Sequence, residues 1–207
     1  MDLPVTFIYH ITHVKNLPRV IAEGGLHCDR HAQEVKTVNI GHMHIKERRL
    51  NRPVPVGPGG TVGDYVPFYF APRSPMLYAI SRGAVEGYAE GQNPVIYLRS
   101  TVEAVAEAGL GWVFTEGHAD MLFTDFFDDL SDLEKVDWAL MRATYWNDTN
   151  DDPDRKRRSR PNSWCTIFSL GSWCRISEYM IAPLADAVGE IIKGGSPEVG
   201  VQRGWYY

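Results

Sequence analysis

The stretch Tyr9-His10-Ile11-Thr12-His13-Val14-Lys15-Asn16-Leu17-Pro18-Arg19-Val20-Ile21-Ala22-Glu23-Gly24-Gly25-Leu26 decides how the rest of the chain is read. The apolar run from Val5 to Tyr9 predicts a strand, which delivers a polar His-x-Thr cluster at its C-terminal end. Leu17, Val20 and Ile21 fall on one face of a short helix, and Gly24-Gly25 stops it. Strand ends beside helix starts offer unpaired backbone N–H groups on a rigid frame, a common setting for a small-molecule site.

Outward from this segment, residues 27–63 show little periodicity, which inside a compact domain points to a functional loop region folding over a ligand. It holds Ile40-Gly41, then Ile45-Lys46-Glu47-Arg48-Arg49-Leu50-Asn51-Arg52, then a turn-rich run from Pro53 to Gly60. Asp64 to Ala71 is aromatic and reads as a strand, with Pro67 hinting at an edge or bulge. Ser74 and Pro75 are the N-cap and first position of a helix near Met76 to Ser81. Pro94 to Leu98 and Trp112 to Thr115 read as strands, with a helix from about Ser100 to Ala108 between them. Asp125 to about Trp146 reads as mostly helical, its acidic residues to Asp137 forming a solvated face and Phe126, Phe127 and Trp138 facing the core. Asn147 to Pro153 is a polar loop. Ile176 to Ile181 reads as a strand, Ala185 to Ile192 as a helix and Val199 to Gln202 as a last strand. Strands and helices mix without strict alternation, so the expected class is α+β in a single domain over residues 1–207.

The 207 residues are long enough for one domain with a real core, and 44% apolar with 23% charged content is ordinary for a soluble protein. No apolar run approaches a bilayer span, and no signal peptide opens the chain, so no membrane association is expected. Three cysteines (Cys28, Cys165, Cys174) form no disulfide framework, which points to a reducing cytoplasm. Six of seven histidines lie in the first 44 residues, but neither His-Glu-x-x-His nor Cys-x-x-Cys occurs, so no metal is expected. The net charge of −5 is segregated: Asp120 to Asp137 is acidic, while Lys46 to Arg52 and Arg155 to Arg160 are basic.

Tyr9-His10-x-Thr12 followed by Asn16-Leu17-x-x-Val20-Ile21-x-x-Gly24-Gly25-Leu26 resembles the first motif of the poly-ADP-ribosyltransferase branch of the ADP-ribosyltransferase fold. Phe68-Tyr69-Phe70-Ala71 is similar to its second motif. More specifically, the run from Asp64 through Pro72-Arg73-Ser74-Pro75-Met76-Leu77-Tyr78 resembles the DarT family of DNA-targeting toxins. The Ile-Gly and Ile-Lys-x-Arg-Arg segments and Asp152-Pro153-Asp154-Arg155-Lys156-Arg157 match that family too. The resemblance implies transfer of ADP-ribose from NAD to a base of single-stranded DNA, thymidine in one branch. It also implies a macrodomain antitoxin that removes the mark.

On the same grounds His10 holds the adenine-side ribose, the backbone next to it reads the nicotinamide amide, and Tyr69 stacks on the nicotinamide ring. Ile11, Thr12, His13, Asn16 and Leu26 complete the expected NAD cradle, with Arg48 among the covering cations for the pyrophosphate. The family assigns proton removal from the base to an Arg of the covering loop, which is Arg49 or Arg52 here. A single strand needs a basic track with aromatic platforms, for which His118, Tyr145, Trp146, Arg155, Arg157 and Arg158 are the candidates, within and around a substrate-facing loop region at 147–162.

One segment departs from the family. Its third motif is a Glu in a strand of the form Gln-Ala-Glu-Phe-Leu-Val, expected here near Asn162. Instead Ser159 to Cys174 contains no acidic residue, two of the three cysteines and two of the six tryptophans. Back-translation from the third base of each codon permits Gln-Ala-Glu-Phe-Leu-Val-His-Asp-Leu-Phe-Pro-Trp-Glu-Leu-Val, with Val forced at Trp164-Cys165. The expectation is that residues 159 to about 174 are out of frame and that the frame is restored before Ile176. As written, the chain is read as an inactive or attenuated NAD-dependent DNA ADP-ribosyltransferase. The alternatives are a non-catalytic NAD- or DNA-binding module and an NAD-dependent transferase acting on RNA or protein.

Overall fold

The computed structural model describes residues 5–35, 38–143, 146, 148–155, 158, 168–170, 177–179 and 201–207. Strand β1 (Phe7–His13) pairs antiparallel with β2 (Val95–Thr101) over its whole length, from Phe7 opposite Thr101 to His13 opposite Val95. β1 therefore does not end at Tyr9. A full-length partner lets the ladder run on through the His-x-Thr cluster, which lies within the strand. The turn Val14–Asn16 follows directly, capped by the His13 Nδ1, which accepts the Lys15 N–H. Helix α1 (Leu17–Ala22) then starts with Pro18 in its first turn, where a missing N–H costs nothing, and ends before the positive-φ Gly24.

The region 27–63 contains two helices that periodicity did not reveal, α2 (Asp29–Val35) and α3 (Met43–Asn51). α3 has no apolar stripe; the residues it buries are Lys46 and Arg49. Segment 64–71 is not a strand. Asp64 closes a short helical turn in a capping box with Thr61, and Pro67 has no N–H to extend a ladder. The segment keeps isolated bridges, in one of which Tyr9 and Tyr69 exchange N–H···O bonds of 2.8 and 2.7 Å. Its aromatics still enter the core, with Tyr65 and Phe68 at 0% and 1% exposure.

Helix α4 (Pro75–Ser81) begins as expected, with the Ser74 hydroxyl accepting the Leu77 N–H. Helix α5 (Val102–Glu107) follows β2 under a Thr101 cap, and leads to β3 (Gly111–Thr115). The expected long helix from Asp125 is instead three short pieces: β4 (Phe126–Phe127), a 3-10 turn at Leu130–Lys135 and α6 (Trp138–Met141). The acidic residues cause the breaks. Asp129 accepts the Ser131 N–H and Asp137 the Leu140 N–H, each capping a new start instead of lining a helix face. Phe126 is buried, and Phe127 and Trp138 pack on the core as expected.

Strand β5 (Phe168–Leu170) pairs with β3, and β6 (Ser177–Tyr179) with β2, giving two antiparallel three-stranded sheets ordered β1-β2-β6 and β4-β3-β5. The helix expected at 185–192 lies outside the described residues, as does the first half of the strand expected at 199–202. So does most of the segment 159–174. The α+β class stands. Among the described residues the core falls into a cluster around Ile8, Leu98, Phe68 and Phe114, a second around Ile11, Leu77, Tyr97 and Tyr206, and a third around Val62, Tyr65, Val113 and Phe126. No described helix is long and apolar enough to cross a membrane.

Candidate active site

The two-residue period of β1 sends His10 and Thr12 to one face and Tyr9, Ile11 and His13 to the other. On the first face, the Asn16 side chain donates to Thr12 Oγ1 (3.1 Å) and to the Val38 carbonyl (2.8 Å), and accepts the Val38 N–H (2.9 Å). Residue 38 is thereby clamped to the end of β1. His10 Nδ1 lies 2.7 Å from the Pro67 carbonyl. A carbonyl only accepts, so Nδ1 carries the proton and Nε2 is the acceptor nitrogen.

Two small cavities meet at His10, Thr12 and Asn16. One, of about 60 Å³, is lined by Ile11, Asp29, Asn39, Lys46, Arg49 and Tyr69; the other, of about 30 Å³, by Arg19, Gly25, Leu26 and His27. The expected cradle residues His10, Ile11, Thr12, Asn16, Leu26 and Tyr69 thus converge. The Tyr69 hydroxyl is buried, which pushes its pKa well above the usual range and keeps it neutral.

His13 is not part of this cleft. It sits on the opposite face, fully buried against Tyr88, and burial lowers its pKa despite Glu90 at 3.4 Å. Arg48 is not part of it either. One residue along a helix is a rotation of about 100°, so Arg49 points inward while Arg48 is 58% exposed and pairs with Asp120 at 2.7 Å. Of the two candidate catalytic arginines, Arg52 lines neither cavity; its Nε and Nη2 donate to the carbonyls of Ala119 and Met121. Arg49 is 4% exposed, lines the larger cavity and forms an ion pair with Asp29 at 2.6 Å.

Asp29, Asn39 and Lys46 are cleft residues that the sequence reading missed. Lys46 Nζ donates to Asn39 Oδ1, and Asp29 is 2% exposed. Lys46 lies within the quoted Ile-Lys-x-Arg-Arg segment, so a signal was there. Asp29 carried none, because it stands alone at the start of an unrecognised helix.

Among the described DNA-side candidates, His118 is 5% exposed, and its Nδ1 accepts the Asp120 N–H. Arg158 is held by Asp137 and Asp152, each at 2.6 Å, with Asp154 at 3.6 Å, and the hydrogen bond with Asp152 raises its pKa further. That guanidinium is engaged internally. Trp146 packs edge-on to Tyr207 with centroids 6.3 Å apart, and Arg155 is half-buried. Tyr145, Arg157 and Asn162 lie outside the described residues.

A polar His/Asn cleft under an arginine-bearing two-helix cover, flanked by small antiparallel sheets, defines an ADP-ribosyltransferase-type site. The family model described as ssDNA thymidine ADP-ribosyltransferase, DarT, matches residues 9–162, and the chain belongs to the DarT family. It is 39% identical to a DNA ADP-ribosyl transferase of Thermus sp. (strain 2.9), covering 98% of this chain and 96% of that one. It is 32% identical to a DNA ADP-ribosyl transferase of Escherichia coli O127:H6, over 97% and 93%. The structure of Thermus sp. 2.9 DarT in complex with NAD+ superposes with a TM-score of 0.83 at 35% identity, over 98% of both chains.

Proposed function

We propose that this chain belongs to the toxin half of a toxin–antitoxin pair and that its cleft takes NAD and directs ADP-ribose to a thymidine base of single-stranded DNA. The observation that carries the reading is the convergence of His10, Thr12, Asn16, Tyr69 and Arg49 on one face of β1, in a chain of the DarT family. His10 Nε2 meets a ribose hydroxyl, and Tyr69 supplies a neutral aromatic wall for the nicotinamide ring. Lys46 and Arg49 supply cations, and Leu26 closes the second cavity. Arg49, not Arg52, serves the proton removed from the base, because it alone of the two lines the cleft. The 27–63 segment is the cover, and the 147–162 region, with Tyr145, Trp146, Arg155 and Arg157, faces the strand. A macrodomain-type antitoxin in the same cytoplasm reverses the mark.

Departure of nicotinamide leaves an oxocarbenium-like sugar, which an adjacent carboxylate stabilises electrostatically. As written, residues 159–174 offer none. Loss of such a group costs on the order of 10²- to 10³-fold in rate. That absence also favours a second reading, a module that binds NAD or DNA without chemistry. Mass spectrometry of a thymidine-containing oligonucleotide incubated with NAD and enzyme in excess separates the two. The transferase reading expects slow addition of one ADP-ribose. NAD binding by calorimetry with no adduct, even after the in-frame Glu is restored, rejects it in favour of the binding module.

A further inference from the structure

A guanidinium cannot accept a proton while it is charged, and arginine is charged throughout the accessible pH range. An arginine that serves proton removal therefore needs a second group to take its own proton. Among the described residues lining the cleft, Asp29 is the one carboxylate. Its Oδ2 lies 2.6 Å from Arg49 Nη1, with the two side chains 3% and 5% exposed. Among the described residues, the other charged and titratable groups facing the same cavity are Arg49 and Lys46 from α3, His10 from β1 and Tyr69 from the 64–71 segment. Lys46 donates to Asn39, the His10 Nδ1 proton is held by Pro67, and Tyr69 stays neutral, so none of these competes for the role.

We propose that Asp29 is the positioning residue through which Arg49 works: it orients the guanidinium and takes the proton that the target base gives up. This rests on the transferase reading above. In the step, a proton passes from the Arg49 guanidinium to the Asp29 carboxylate paired with it as Arg49 takes the ring N–H proton of thymine. The base nitrogen forms its bond to the ribose carbon while the ribose–nicotinamide bond breaks, and its electron pair leaves with neutral nicotinamide. Arg49 ends charged and Asp29 ends neutral, to be deprotonated by solvent afterwards. The neighbouring Arg30 holds α2 in place from outside, donating to Asp64 at 2.5 Å and to Thr61 at 3.1 Å. The helix that delivers Asp29 is thus latched on two sides.

The test uses single-turnover transfer to a thymidine oligonucleotide with enzyme in excess, for the chain as written and for its frame-restored form. Calorimetry with NAD is run in parallel. The expected result for Asp29→Asn is a loss of 100-fold or more in rate, with NAD affinity within threefold. Asp29→Glu, which keeps the buried charge paired, should fold normally and stay within tenfold of the parent rate. A rate for Asp29→Asn within threefold of the parent overturns the proposal. So does an Asp29→Glu rate no better than that of Asp29→Asn, or a rate loss matched by equal losses in NAD affinity and melting temperature. If neither parent form modifies the oligonucleotide while NAD still binds, the transferase reading itself fails and this inference falls with it.

Discussion

His10 donates from Nδ1 to the Pro67 carbonyl across 2.7 Å, joining the centre of β1 to the one residue in the 64–71 segment that cannot extend a strand ladder. That bond fixes both the tautomer and the direction of the ring. It also explains why this segment need not be a strand to place Tyr69: the His10–Pro67 contact and the Tyr9–Tyr69 bridge hold it from two points. His10→Ala should weaken NAD binding by tenfold or more and, because it deletes a buried ring and orphans the Pro67 carbonyl, destabilise the fold by about 2–4 kcal/mol. Calorimetry paired with thermal unfolding checks it, and unchanged NAD affinity would remove His10 from the site.

Gly63 lies where α3 crosses the turn Val62–Asp64. A Cβ there would sit 2.6 Å from Leu50 Cδ2 and 2.9 Å from Leu50 Cα, and the second contact is backbone that cannot swing away. Gly63→Ala should therefore destabilise by about 1–3 kcal/mol, the usual cost of overpacking. It should also weaken NAD binding, because α3 carries Lys46 and Arg49. Gly59, where no atom lies within 4 Å of an added Cβ, gives a control for backbone strain alone, its φ being +75°.

Arg30, with help from Thr61, holds the Asp64 carboxyl below the usual carboxylate range. A depressed folded-state pKa adds stability that is present above the unfolded value, near 4, and is lost as pH falls through the folded one. The melting-temperature gap between the parent and Asp64→Asn should be about 2–4 °C at neutral pH. It should narrow below about pH 4. Thermal scans from pH 3 to 7 check this; a gap that widens toward acid would contradict the assignment.

The C-terminal residues close the second core cluster. Tyr206 is 8% exposed, packs against Tyr97 with centroids 5.4 Å apart and donates to the Val95 carbonyl at 2.8 Å. Tyr206→Phe should cost about 1–2 kcal/mol for the orphaned carbonyl. Tyr206→Ala should cost about 3–5 kcal/mol, as for other large aromatic deletions. Denaturant melts of the two variants separate the hydroxyl's share from the ring's.

Much of this was legible beforehand where local chemistry decides it. Ser74-Pro75 marks a helix start in any context, and the continuous apolar run Val95-Ile96-Tyr97-Leu98 marks β2 as a buried strand. The misreadings share a cause, which is that long-range partners overrode local pattern. β1 runs past Tyr9 because β2 is there to pair with it, and Asp64 to Ala71 stays irregular because Pro67 and a capping box intervene. α3 was hidden because its inward residues are Lys46 and Arg49, so the apolar stripe that betrays most helices is replaced by cleft chemistry. In the site, motif spacing found His10, Asn16 and Tyr69, but only geometry separates Arg49 from Arg48 and Arg52 on one helix end. His13 lies outside the site because it is fully buried at the far end of β1, against Tyr88 and beside Glu90.

Residues 159–174 contain no carboxylate, whereas the cleft residues around β1 converge. The most direct measurement compares single-turnover rates of ADP-ribose transfer to a thymidine oligonucleotide by the chain as written and by a version carrying Gln-Ala-Glu-Phe-Leu-Val in frame. The account predicts equal NAD affinities and a rate at least 100-fold higher for the restored chain. Equal rates, with a gene template that reads in frame through Ser159 to Cys174, would contradict it.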